Sequence, residues 1–377
     1  MTNDIRISRK ALPRILVLSA YDAASHKRWR HQLAAMFAEY TWQSLSLPAR
    51  FFAWRIRGNP LSWLNEPCLS EPWDLVIATS MVDLASIRSF HPGLARTPWL
   101  LYMHENQFAF PSSSHQMPRL EPQMVNLYSA ISATRVVFNS AWNLDSFLNG
   151  VQTFLDRMPD GVPTGLVTRL RDKSCVIPVP IEDDLFLDIP RQANWNCPHL
   201  LWNHRWEYDK GPERLLRFLQ RLDALSVPFS LSVVGERFRS QPKVFDEIYR
   251  EFSSRVVYWG FLASREEYDR LLGSADIVIS TAIHDFQGLS MLEAMASGCL
   301  PLAPDRLAYR EYVPDVSRYE SFEHDIDKEA EAAAACLINL MTIQPVHRVP
   351  EAWRMSVLAR QYQSLFEQLL SERPVVD

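Results

Sequence analysis

The chain has 377 residues, 47% of them hydrophobic and 22% charged, a globular composition that excludes disorder and collagen-like or coiled-coil rods. Its formal charge is −5, but residues 1–180 hold 18 Lys+Arg against 13 Asp+Glu (+5), and residues 181–377 hold 21 against 31 (−10). Only 11 glycines accompany 25 prolines, and neither G-x-G-x-x-G nor G-x-x-x-x-G-K-[ST] occurs, which argues against a Gly-loop dehydrogenase and a P-loop NTPase.

The length fits two or three domains. The polar stretch Met1–Pro13 lacks the apolar core of a signal peptide, and no apolar run approaches the roughly 20 residues of a spanning helix. Five dispersed cysteines (68, 175, 197, 299 and 336) read as reduced thiols, so a soluble cytoplasmic protein is expected. Short β-rich runs follow: Arg14–Ser19, Asp74–Thr79, Trp99–Met103 and Arg135–Phe138. Helical patterns lie near 26–37, 83–89, 122–133 and 140–149, a rhythm that predicts a parallel sheet covered on both faces. Residues 156–199, with Pro159, Pro163, Pro178, Pro180, Pro190 and Pro198, read as an interdomain connection.

The alternation resumes with strands at 200–202, 229–234, 256–259, 276–281 and 300–302. Helices are expected near 212–225, 242–252, 264–273, 288–297, 308–312 and 330–341, and an amphipathic last helix at 350–371. The fold class is α/β, with two Rossmann-like doubly wound domains facing an interdomain cleft. The expected boundaries are 1–180, 181–350 and a C-terminal helix within 351–377 that packs back toward the N-terminal domain. In such sheets ligands sit beyond the carboxyl ends of the strands.

Two stretches at those ends carry chemistry. Arg205 and Lys210, five apart after a strand, can clamp a diphosphate by charge, although a solvated loop would look similar. In Thr281–Met295 a strand ends, a polar loop follows, and a helix begins near Gly288, whose N–H groups suit an anionic oxygen. Asp285 and Glu293 can then accept from vicinal hydroxyls of one ligand, a hexose or a ribose; an acid capping a helix beside an unrelated Glu is the plainer alternative. Two further stretches interleave cations and aromatics, His26–Arg30 and Arg50–Arg57, which suits phosphates and stacked bases of an RNA loop. For the first, a helix with solvated Lys and Arg is the competing reading.

The pattern R-x4-K followed 75 residues later by [E/D]-F-x-G-x4-E resembles the donor half of retaining GT-B glycosyltransferases of the family 4 type. The resemblance is closer to the tRNA-queuosine α-mannosyltransferases. It is carried by Ala20-Tyr21 through Ser25-His26-Lys27, Tyr102–Gln107, Val137–Ser140 with Asn143 and Ser146-Phe147, His204–Glu207 with Asp209-Lys210, Trp259–Leu262, and Ala275-Asp276 through Thr281. It departs where Gly-Gly usually precedes Ser-His-Lys and Ala23-Ala24 stands here, and where the first acid, usually Glu, is Asp285.

The resemblance implies transfer of mannose from GDP-mannose, with retention, to queuosine at anticodon position 34 of tRNA-Asp. It implies no metal or other cofactor and no membrane partner. Arg205, Lys210 and Asp285 would act at the reaction centre with His104. Donor contacts would come from these residues and from Gly260, Phe261, Leu262, Phe286, Gly288, Leu289, Ser290 and Glu293, with Glu293 on the ribose. The acceptor tRNA would meet Ser25, His26, Lys27, Arg50, Trp54, Arg55, Arg57, Glu105, Asn106 and Asn139 in the basic half. Another nucleotide-sugar donor with a small or lipid acceptor, and a non-catalytic RNA-binding protein, are the competing readings.

Overall fold

A computed structural model describes residues 12–109, 120–186, 193–237, 241–347 and 349–372. The readings on Met1–Ala11 and on Pro190 lie outside the described residues. The chain forms two units. One takes in the residues up to Asn139, Leu144–Ile177 and those from Ala359 on; the other takes in Ser140–Asn143 and Pro178–Leu358.

The first unit runs β1 (Arg14–Asp22), α1 (Ala24–Met36), β2 (Thr41–Pro48), α2 (Phe52–Ser62), β3 (Leu75–Thr79), α3 (Leu84–Phe90), β4 (Trp99–Met103), α4 (Leu120–Ser132), β5 (Arg135–Phe138), α5 (Ala141–Leu155), α6 (Leu166–Asp172) and β6 (Ser174–Val176). All strands pair in parallel, in the order β2-β1-β3-β4-β5-β6. Every residue of β3 and β4 is buried, as expected of central strands covered on both faces.

Four elements here differ from the sequence reading. The edge strand β2 buries none of its residues fully, so its composition carries no continuous apolar run. Helix α2 has a buried stripe confined to Ile56, Gly58, Asn59 and Pro60, two of them helix breakers by propensity. The proline-bearing segment taken for an interdomain connection holds α6 and β6, the sixth strand of this sheet.

The second unit runs β7 (His199–Trp202), α7 (Pro212–Ala224), β8 (Ser230–Val234), α8 (Val244–Phe252), β9 (Val256–Gly260), α9 (Arg265–Ser274), β10 (Ile277–Ile279), α10 (Leu289–Ala296), β11 (Leu300–Pro304), β12 (Arg318–Tyr319) and α11 (Ile326–Ile343). Its parallel sheet has the order β12-β11-β10-β7-β8-β9, which is 3-2-1-4-5-6 when the strands are renumbered within the unit. Alternating strand residues feed two cores. Leu200, Trp202, Leu231 and Ile277 point to one, and Leu201, Val234 and Val278 to the other. The expected helix at 308–312 is a 3-10 turn, Leu307–Glu311.

Local signals set the helix starts. α7 opens with Gly211 left-handed (φ 64°) and Pro212 at its first position. α9 opens with Ser264, whose hydroxyl accepts from Glu267 N–H. The last helix, α12 (Met355–Ser371), gives its first four residues to the second unit and the rest to the first. In the first unit Trp29 Nε1 donates to Tyr362 Oη at 2.9 Å, Tyr362 Oη donates to Tyr102 Oη at 3.2 Å, and Tyr102 Oη donates to the Ile177 carbonyl at 2.9 Å. Phe366 packs against Phe37 and Trp42.

Candidate active site

In the second unit the strand order reverses between β7 and β10, so the loops after these two strands border the position where doubly wound sheets hold ligands. The loop after β7 carries His204, Arg205 and Lys210; the loop after β10 carries His284 and Asp285 and leads into α10. Lys210 is nearly buried. Its Nζ donates to the His284 carbonyl at 2.8 Å and lies 3.3 Å from Asp209 and 3.5 Å from Asp285.

Asp285 uses both carboxylate oxygens. Oδ1 accepts from Gly288 N–H at 3.0 Å and Oδ2 from Tyr309 Oη at 3.2 Å. Burial pushes this carboxyl up, but Lys210 foremost, then His204, His284 and the Gly288 N–H, outweigh it and hold it below its ordinary range. Asp285 therefore accepts from the backbone N–H of the residue before the helix and also pairs with the lysine. Gly288 has φ 79°, and a side chain there would press on the Tyr312 hydroxyl and the Tyr309 ring.

Glu293, one turn into α10, is buried and held at both oxygens. Arg265 Nη1 donates to Oε1 at 3.1 Å and Tyr268 Oη to Oε2 at 3.2 Å. Asn203 Nδ2 donates to Tyr268 Oη at 3.0 Å and to the Ser290 carbonyl at 2.9 Å, tying this group back to the end of β7. His204 Nδ1 lies 3.3 Å from Ser290 Oγ, and burial lowers its imidazole to about 4, so it is neutral. Arg205 stands apart from this network, half-exposed and paired with Glu207 at 2.9 Å.

Gly260 ends β9 at φ 115° beside the Arg237 guanidinium, which stacks on Trp206 at 4.2 Å. Phe261 next to it is largely exposed, and Leu262 packs against the core. Phe286 is buried against Trp142 and His284, while Leu289 and Ser290 are half-buried in the first turn of α10. Among the described residues no three His, Cys, Asp or Glu are grouped to hold a metal ion, and no helix is long and apolar enough to cross a membrane.

The first unit gathers a second polar group at the carboxyl ends of β3 and β4. His104 and His26 stack, ring centres 4.0 Å apart, with Trp29 edge-on to His104. His26 Nε2 lies 3.1 Å from Glu105 Oε2, and Ser80 Oγ donates to Glu105 Oε1 at 2.6 Å. Burial, and then the proximity of His26, hold the His104 imidazole well below its ordinary range. Its buried Nε2 has no hydrogen-bond partner among the described residues.

Asn106 and Asn139 are turned to structural work. Asn106 Oδ1 accepts from Phe108 and Ala109 N–H and its Nδ2 donates to Ser146, while Asn139 Nδ2 donates to the His104 carbonyl at 2.8 Å. Ser25 is half-buried and Lys27 exposed on α1. Arg50 and Trp54 are exposed and Arg55 half-buried around the start of α2, whereas Arg57 is held by Asp83 at 2.8 Å. Ser80, Asn203, Arg265, Tyr268 and Tyr309 went unmarked in the sequence, since each lies outside a recognised motif and acts through a partner distant along the chain.

A tRNA-queuosine alpha-mannosyltransferase of Drosophila melanogaster is 32% identical over 319 residues, covering 82% of this chain and 84% of the relative. The model of the tRNA-queuosine alpha-mannosyltransferase N-terminal region matches residues 14–181, and that of glycosyl transferases group 1 matches residues 193–345. The chain belongs to the tRNA-queuosine alpha-mannosyltransferase family. It is thus a hexosyltransferase, and its fold is GT-B.

Solved structures agree at the level of fold. Anabaena HepE in complex with UDP superposes with a TM-score of 0.61 at 13% identity, over 95% of this chain and 100% of that one. Sucrose-phosphate synthase from Thermosynechococcus elongatus gives 0.65 at 15%, over 96% and 100%. The first-unit match ends at residue 181, so the queuosine-specific model covers His26, His104 and Glu105, and the general transferase model covers Lys210, Asp285 and Glu293.

Proposed function

We propose that this chain transfers mannose from GDP-mannose, with retention, to the queuosine of the tRNA-Asp anticodon, in the cytoplasm. The observation that carries the reading is Lys210, held between Asp209, Asp285 and the His284 carbonyl at the β7–β10 reversal, beside the start of α10. A buried ammonium at a helix start is a fixed positive charge where a departing diphosphate develops negative charge. Arg205, exposed on the same loop, adds a second cation.

On this reading Asp285 holds hexose hydroxyls and Glu293 the ribose, while Gly260, Phe261 and Leu262 border the base. Phe286, Gly288, Leu289 and Ser290 complete the donor wall. His104 meets the donor sugar, and Glu105, oriented by His26 and Ser80, meets the acceptor diol. Ser25, Lys27, Arg50, Trp54, Arg55 and Arg57 face the RNA. The leaving phosphate takes the acceptor proton on the face of attack, which gives retention. Since Lys210 and Arg205 supply the positive charge, no metal is required for this step.

The UDP complex of HepE supports a nucleotide-sugar donor, and the Drosophila relative's name supports queuosine tRNA and mannose. The test incubates purified protein with GDP-mannose and queuosine-containing tRNA-Asp and measures the nucleoside by mass spectrometry. One added hexose is expected. No added hexose, or thermal stabilisation by UDP-sugars with none by GDP or GDP-mannose, would overturn the reading.

A further inference from the structure

Phe51, the residue before α2, adopts φ 55° and ψ 52°. That left-handed conformation crowds Cβ against the carbonyl, and bulky L-residues rarely take it. Among the described residues Phe51 is the one aromatic with positive φ. Its carbonyl accepts from Trp54 and Arg55 N–H at the helix entry, as those of the left-handed Gly165, Gly211 and Gly288 do at theirs, but there the residue is glycine and here it is a phenylalanine. Burial does not account for it: the side chain is 69% exposed, and Phe52 (40%) and Trp54 (51%) are exposed beside it. A strained backbone that lifts a large ring into solvent points to a use at the surface.

The position and charge of the cluster narrow that use. Phe52 meets Tyr21 edge-on at 6.2 Å, which places the cluster at the carboxyl end of β1, the edge where open α/β sheets bind ligands. The Arg50 guanidinium lies 5.4 Å from the Phe51 ring centre. Arg55 keeps a buried Nε without a hydrogen-bond partner among the described residues, and no acidic residue occurs between positions 50 and 57. A two-fold contact with a second copy would set these arginines against themselves, which like charge disfavours.

We propose that Arg50–Trp54 is a stacking platform for unpaired bases of the acceptor RNA. Phe51 is held out by its left-handed backbone to receive one base, Phe52 and Trp54 extend the surface, and Arg50 and Arg55 meet the neighbouring phosphates. The inference rests on tRNA being the acceptor. It adds the residues that stack and the conformational device that presents them.

The test measures binding of queuosine-containing tRNA-Asp to the full chain by fluorescence anisotropy over a series of salt concentrations. Glycine takes positive φ without strain, so Phe51→Gly should keep or raise Tm while weakening binding roughly 5- to 100-fold, with the salt slope unchanged. Arg50→Ala should lower that slope by about one phosphate contact. Phe51→Tyr should bind as wild type, since its ring still stacks.

Three results would overturn the platform: wild-type affinity in Phe51→Gly, equal loss in Phe51→Tyr and Phe51→Gly, or a change of oligomeric state without a change in RNA affinity. If the wild-type protein itself fails to bind the tRNA, the acceptor reading falls, and this inference with it.

Discussion

The end of β1 in the first unit contrasts with the ends of β7 and β10 in the second. In the second, the groups at the strand ends are mostly buried and satisfied by one another: Lys210 by two carboxylates and a carbonyl, Asp285 by a lysine, a tyrosine and a helix N–H, Glu293 by an arginine and a tyrosine. In the first, exposed aromatics and arginines at the end of β1 and the start of α2 are largely left to solvent. Small charged ligands favour a preorganised, desolvated site, because fixed dipoles need not reorganise during the reaction. A large polyanion favours an exposed surface, because its binding is driven by phosphates and stacked bases spread over many ångströms.

The largest effect should separate the two edges cleanly. Lys210→Ala should lower kcat/KM by on the order of 10²–10³ while leaving tRNA affinity intact. Steady-state kinetics and anisotropy on one preparation check this, and activity within tenfold of wild type would remove Lys210 from the reaction centre. Next comes backbone conformation. Gly211→Ala places a Cβ at φ 64° against the Thr281 carbonyl, so denaturant unfolding should show a loss of at least ~1–2 kcal/mol. Phe51→Gly in the other unit should show none. A destabilised Phe51→Gly beside a stable Gly211→Ala would invert the contrast.

A further effect concerns pH. His204 is neutral when buried, with its pKa depressed to about 4 from 6.5. Its contribution to stability is full above pH 6.5 and is lost as pH falls from there toward 4. Tm measured over that window should fall more steeply for wild type than for His204→Gln, which carries no titrating ring. Parallel curves would show that another group governs the acid limb. Smallest is Arg265→Ala, which removes the Arg265 bond to Glu293 Oε1. It should weaken donor binding by roughly tenfold, as for one hydrogen bond to a charged group, with kcat little changed. A fall in kcat at constant KM would place Arg265 nearer the chemistry.

Much of this architecture was legible in the sequence because central strands buried on both faces read as short apolar runs: Leu75–Thr79 and Trp99–Met103 could hardly be mistaken. The charged positions Lys210, Asp285 and Glu293 were legible for a related reason, since the first two each follow a strand and Glu293 lies one turn into the helix beyond. What escaped depended on distant partners. β2 is an edge strand whose pairing with β1 does what its composition does not, and β6 hides in a proline-rich stretch because it needs only three residues against β5. Tyr268, Asn203 and Arg265 gain meaning only once α9 folds beside α10, a proximity no local spacing records. The backbone strain at Phe51 is invisible to composition, because nothing in Arg-Phe-Phe announces a positive φ.

The placement of α12 bears on how the protein is made. Trp29 and Tyr102 are joined through the Tyr362 hydroxyl, and Phe366 packs on Phe37 and Trp42. The first unit, most of which precedes the second in the chain, therefore lacks part of its interior until α12 emerges from the ribosome. During that interval the second unit, whose residues end at Leu358, can already close. Until α12 is made, the nascent first unit keeps aromatic surface uncovered, the condition in which chains recruit chaperones. A stop codon just before α12 should therefore harm the early half of the protein more than the late half.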